Sequence, residues 1–416
     1  MRGAVSLVVA GFASAALLFA GPPVRGAVQR SPAATFEARS YKAGGVAVLR
    51  IDPGPTRVGL QVFLVGGHEA PGAARIPWDR RTSGEAMTPL RSLSRRDGSR
   101  LWHLRIGLPS TWPSGVYVAR LRMAGVTRYA PFVLLPHRLA SARVLVVEPT
   151  NTWQAYNFED GDSWYLDPGV HVIDLARPYP RSGLPSQFVS FGLGFLRWYW
   201  RSGFRADFVS DDDLEHGPGA RRLHHYRLIV FASHEEYVTG HVYDLIESYR
   251  NLGGNLAFLS ADNFFYRVSL SRDTMVGRTR WRDLGRPEAS LVGGQYVGWD
   301  EARFPNRPYR VVDMTAAPCL FPGSHLRHGS RFGRYGVEID KRAPASPAGT
   351  RVIASIRGAF GPGKTAQMTV YRRRRSTVFD AGVMNFGASA DWPGISTLVE
   401  NLWTHLSGEQ PPPPPD

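Results

Sequence analysis

Residues 227–250 read RLIVFASHEEYVTGHVYDLIESYR. A wholly apolar LIVFA run, short enough for a buried strand, gives way to a histidine and two glutamates. An amphipathic helical pattern follows and closes at Gly253-Gly254. The same grammar extends outward on both sides. ARVLVVEP (142–149), FRADFVSDDDL (204–214) and NLAFLSADN (255–263) read as strands, and VSFGLGFLRWYWRSG (189–203) reads as a helix ending at Gly203. Strand, helix and strand with short links predict a mainly parallel α/β sheet, whose crevice lies beyond the carboxyl ends of its strands. Three polar clusters then fall on one edge: Thr150 to Asn157, Ser233 to Tyr237, and Ala261-Asp262-Asn263. Helix capping alone also accounts for the middle cluster, with Ser233 as N-cap and Glu235 and Glu236 favoured by the helix dipole. The residues by themselves leave both readings open.

The flanks have a different character. From Phe36 to Pro136 short alternating segments such as GVAVLRI, WHLRIGL and GVYVARLRM, separated by Gly, Pro and Ser, predict an immunoglobulin-like β-sandwich without its cysteine pair. The boundary falls at Pro136-His137, with an α/β domain from 138 to 408. VIASIR, AQMTVYRR and STVFDAGVMNFG read as late strands, and WPGISTLVENLWTHLSG as a closing helix. Residues 409–416, with the run PPPPPD, read as a disordered tail. At the other end, Arg2, an apolar run from Val5 to Ala20 and Gly-Pro-Pro give the layout of a secretory signal peptide over residues 1–27. Secretion or extracytoplasmic location is expected, and a retained anchor less so because the apolar core is short.

Composition and motif searches remove several chemistries. The formal charge of +15 over 416 residues comes from scattered arginines rather than one tract, so nucleic acid is not the expected partner. The densest run, Arg372 to Arg375, lies between two strand-like segments as in a hairpin tip. One cysteine, Cys319, rules out an internal disulfide or a cysteine cage and reads as a structural thiol. HEEYVTGH lacks the second histidine of H-E-x-x-H, and no G-x-S-x-G elbow occurs. GAFGPGKT (358–365) matches a phosphate-binding loop in letters, but a strand rather than a helix follows it, so a hairpin is expected.

Taken together, PTNTWQAYN, ARPY, SHEEY, NLAFLSADNFFYRV and TRWRD resemble the C-terminal domain family of the N,N-dimethylformamidase large subunit. The resemblance implies a glutamine-amidotransferase-like α/β fold and hydrolysis of a small amide at a mononuclear ferric ion held by two tyrosines and a glutamate. By motif, the glutamate is Glu236 and one tyrosine is Tyr156. The second is Tyr179 of ARPY, with Tyr199 of LRWYW as the alternative. His234 would assist proton transfer and Asn263 would donate to the developing oxyanion, while Glu235 would be the solvated residue of the helix start. Two phenolates and a carboxylate are hard anionic donors suited to a trivalent ion. The implied function is a secreted iron-dependent hydrolase acting on a C–N amide bond of a small substrate, a reading compatible with homo-oligomers and cell-surface association. The competing reading is a non-catalytic extracellular binder of carbohydrate or wall polymer, using Trp153, Trp164, Trp198 and Trp200.

Overall fold

The computed structural model describes residues 32–67, 84–95, 99–123, 125–158, 163–165, 169–217, 220–300 and 307–410. The signal-peptide segment and residues 411–416 of the tail lie outside the described residues. The front unit has a three-stranded sheet of Ala33–Phe36, Val46–Asp52 and Trp102–Gly107. Opposite it lies a larger antiparallel sheet built mainly on Arg57–Val65, Gly115–Met123 and Val126–Leu135. Leu49, Ile51, Leu104 and Ile106 of the first face Leu60, Val62, Tyr117 and Phe132 of the second, as the period-two alternation requires.

Gly115–Met123 departs from that alternation and is buried at nearly every position. Tyr117, Ala119 and Leu121 fill the sandwich, while Val116 and Val118 join Phe63 and Val65 in a second core with Val144, Val146, Phe195 and Phe208. The large sandwich sheet is therefore covered on its other side by the α/β unit. Polar ties cross the same boundary. The Ser114 hydroxyl accepts from the Phe208 amide at 2.8 Å, and the Ser40 hydroxyl donates to Asp213 at 2.7 Å.

The central sheet has nine strands. Ala206–Ser210, Val144–Glu148, Leu228–Phe231, Asn255–Phe258 and Ser376–Asp380 are parallel neighbours in that order. Ala366–Arg373, Arg351–Ile356, Arg307–Val311 and Arg331–Tyr335 then continue it antiparallel. Only the first part of the sheet is thus parallel, because hairpins replace crossover helices late in the chain. Leu145, Ile229, Phe231 and Phe258 face the helix Gly240–Asn251, whereas Val144, Val146, Val230 and Ala257 face the helices Leu193–Ser202 and Ile395–Ser407. Burial on both faces explains the unbroken VLVV and LIVF runs. Residues 358–365 do form the turn of an antiparallel hairpin, and residues 374–375 form another.

The helix of the opening stretch begins later than expected. Tyr237–Thr239 is a short strand paired in parallel with Tyr266–Ser271, and the Thr239 hydroxyl caps the helix by accepting from the Val242 amide at 3.1 Å. Ser233 is therefore not an N-cap, and Glu235 and Glu236 lie in the loop between two strands. Aromatic and β-branched residues suit Tyr-Val-Thr to the strand.

Candidate functional site

The loops after the parallel strands meet at one edge, and nearly everything polar there is buried. His234 is 0% exposed. Its Nδ1 lies 3.0 Å from the side-chain oxygen of Gln187, which can only accept, so Nδ1 carries the proton and Nε2 the lone pair. That Nε2 faces three carboxyl groups: Glu338 Oε2 at 3.4 Å, Glu236 Oε2 at 3.6 Å and Asp262 Oδ2 at 3.9 Å. Burial holds the imidazole neutral, lowering its pKa to about 3. The same burial pushes Glu236 up to about 8, opposed by hydrogen bonds from tyrosines and by the nearby Arg278 guanidinium. Asp262 and Glu338 are driven well above the carboxylate range by burial and by each other's neighbourhood of acids.

Three phenols surround Glu236. The Tyr165 hydroxyl lies 3.3 Å from Glu236 Oε1 and contacts the Tyr237 hydroxyl. Tyr156 stacks on Tyr165 with ring centroids 4.6 Å apart and also hydrogen-bonds Glu236. Arg278 lies over this group, 5.4 Å from the Tyr165 ring and 5.2 Å from that of Tyr266, which stacks on Tyr237.

The loops are held in place by backbone pairing. The Glu236 amide donates to Thr152 Oγ1 at 3.1 Å, the Phe264 amide to the Glu235 carbonyl at 2.7 Å, and the Tyr266 amide to the Glu236 carbonyl at 2.9 Å. Asp262 and Phe264 both take left-handed backbone angles, φ 55° and 58°, a costly pair in so short a loop. The Asp262 amide donates to the Asp340 carboxyl group at 3.0 and 3.1 Å, which fixes the turn. Beneath it, a Cβ at Gly294 would fall 2.1 Å from Asp380 Oδ2, so only glycine lets these acids approach.

The structure gathers some of the expected residues and disperses others. Tyr156, His234 and Glu236 come together. Asn263 is beside them, its side-chain oxygen accepting from the Glu235 amide at 3.4 Å while its Nδ2 has no partner. Tyr179 does not join Glu236; it hydrogen-bonds Gln154, with Arg39, Arg177 and Asp211 as its charged neighbours. Tyr199 sits in the core, where its hydroxyl accepts from the Ala206 amide and its ring packs near Trp403. Glu235 is not solvated. It is 1% exposed, both carboxyl oxygens lack a partner, and Asp211 and Glu148 lie nearby. Tyr165 and Glu338 were not anticipated, and Tyr237, though inside the Ser233-to-Tyr237 cluster, was given no role. Tyr237 adjoins HEE directly, but Glu338 comes from a strand far along the chain, Glu338–Lys341, with no local motif.

An α/β sheet whose carboxyl edge gathers buried phenols, carboxylates and one neutral imidazole makes this edge the candidate active site. The chain belongs to the N,N-dimethylformamidase beta subunit-like, C-terminal family, whose model matches residues 61–398. It is 24% identical over 233 residues to an N,N-dimethylformamidase beta subunit from Alcaligenes sp, covering 45% of this chain and 30% of that protein. A second beta subunit, from Paracoccus aminophilus, is 25% identical over 235 residues, covering 46% and 31%. The match thus spans about a third of these relatives' length. A solved ThuA-like protein from Parabacteroides merdae aligns with TM-score 0.36 and 12% identity, over 66% of this chain and 92% of its own, too weakly to define the fold.

Proposed function

We propose that this protein is an iron-dependent hydrolase of a C–N amide bond in a small substrate. The observation that carries the reading is the convergence of Tyr156, Tyr165 and Tyr237 on buried Glu236, opposite the His234 lone pair. The residues fit a cation: the Tyr156 and Tyr165 hydroxyls both reach the buried Glu236 carboxyl group, and the buried polar atoms His234 Nε2, Asp262 Oδ1 and Glu338 Oε2 around it have no hydrogen-bond partner. Packed acids without compensating charge are otherwise costly. Glu236, Tyr156 and Tyr165 would hold the ion, with Tyr165 taking the place first given to Tyr179. When bound, a ferric ion supplies Lewis-acid polarisation of the amide carbonyl and lowers the pKa of water.

The chain's own groups supply the rest. His234 Nε2, oriented by Gln187, takes a proton from the attacking water. Glu338, held neutral by burial, gives its proton to the departing amine nitrogen and is refilled from His234 across 3.4 Å. The free Nδ2 of Asn263 donates to the developing oxyanion. The products are an acid and an amine, with no protein nucleophile. The competing polymer-binding reading has little platform, because Trp153, Trp164 and Trp198 are buried and the half-buried Trp200 packs against the cores on both sides of it.

Elemental analysis of protein purified without metal-affinity columns tests the proposal. About one iron per chain and a visible phenolate-to-iron band are expected, with the band weakened in Tyr165→Phe and Glu236→Gln but kept in Tyr179→Phe. Colourless protein that takes up no iron from ferrous salt in air would refute it. Export of the chain after removal of residues 1–27 is part of the same proposal, checked by mass spectrometry of the exported protein.

A further inference from the structure

Against the central sheet, the helix Ile395–Ser407 and the 3₁₀ turn Pro318–Leu320 border a pocket of about 390 Å³. Its floor is a single cross-strand patch. Arg351 pairs with Val370 and Val370 with Phe379, while Arg372 pairs with Thr377 one step further along the same face. The inner walls are apolar: Leu320, Val370, Phe379 and Leu402. Leu320, Phe379 and Leu402 also line a smaller void of about 10 Å³, so the apolar end extends toward the core. The rim is cationic. Arg351 is already engaged with Asp313 at 2.6 Å. Arg372 is exposed and pairs with no carboxylate among the described residues, yet its charge bears on both the Cys319 thiol and the His405 ring.

We propose that this pocket binds a small amphipathic carboxylate, with its tail against Leu320, Phe379 and Leu402 and its head on Arg372. The volume falls within the range of small-molecule sites, which combine apolar walls with few convergent polar groups. An unpaired guanidinium at the mouth of such a pocket matches a planar carboxylate by charge and by paired donors. Neither the acid cluster nor the hydrolase reading enters the argument, so the two stand or fall separately.

Cys319 lines the pocket and is the chain's single cysteine, so its reactivity reports on occupancy without ambiguity. The full chain would be labelled with a neutral dipyridyl disulfide in the presence of octanoate, 1-octanol or acetate. Octanoate should protect Cys319 at concentrations about tenfold lower than 1-octanol does, and acetate should protect little. Arg372→Gln, a substitution at an exposed position, should erase the preference for octanoate. Ala316→Trp should abolish protection by filling the pocket. Equal protection by octanoate and 1-octanol, or a preference that survives Arg372→Gln, would overturn the carboxylate assignment. Absence of protection by octanoate at millimolar concentration would overturn the site.

Discussion

Glu148 closes the strand Val144–Glu148 with its side chain 2% exposed, and burial alone pushes its carboxyl group up to about 8. In the unfolded chain the same group titrates near 4.5. Between these values the folded protein keeps a proton that the unfolded chain has released. The contribution is therefore fully present below 4.5 and is lost as pH rises toward 8. Linkage gives about 1.4 kcal/mol per pH unit well inside this window, or about 3 kcal/mol between pH 5 and 7.5. Glu148→Gln keeps the shape of the neutral acid and removes the titration. Its stability relative to the parent should hence improve by about 3 kcal/mol between pH 5 and pH 7.5. Urea unfolding of chelator-treated protein, followed by tryptophan fluorescence, measures the difference at each pH, and titrating groups remote from Glu148 cancel in it. Parallel stability profiles for the two proteins would refute the claim that this acid is neutral in the folded state.

Two further outcomes follow from the geometry. Residues 138–408 produced alone should expose the surface that Phe63, Val65, Val116 and Val118 cover, and should aggregate or bind a hydrophobic dye where the full chain does not. On the proposed mechanism, Glu338→Gln should leave iron content near that of the parent while lowering amide turnover by roughly 10²–10⁴-fold, the range of a lost proton donor; paired metal and rate measurements separate the two effects.

The strands of the parallel half were legible because burial on both faces demands continuous apolar runs such as VLVV and LIVF. Their carboxyl ends located the polar edge for the same reason. The reading failed where local chemistry competed with tertiary pairing. Tyr237-Val238-Thr239 continues an apolar pattern into a helix, but strand pairing with Tyr266–Ser271 claimed it and moved the cap to Thr239. Glu235 looked like a helix-start charge because a carboxylate beside a helix belongs in water; here the loop carries it inward beside Glu148 and Asp211. Tyr165 and Glu338 were invisible because each reaches Glu236 or His234 across a long stretch of chain, and no local spacing encodes that meeting.

The order of strands also bears on how the molecule is made. Asn255–Phe258 has a parallel partner on one side as soon as Leu228–Phe231 is available, but its other neighbour is Ser376–Asp380. Throughout translation of the intervening chain, this apolar strand remains an open edge in the middle of the future sheet. The later strands must then add to that open edge, with Ser376–Asp380 as the strand that pairs with it. A ribosome paused after residue 300 would thus present a sticky template, and the nascent protein should depend on a holdase until its last strands emerge.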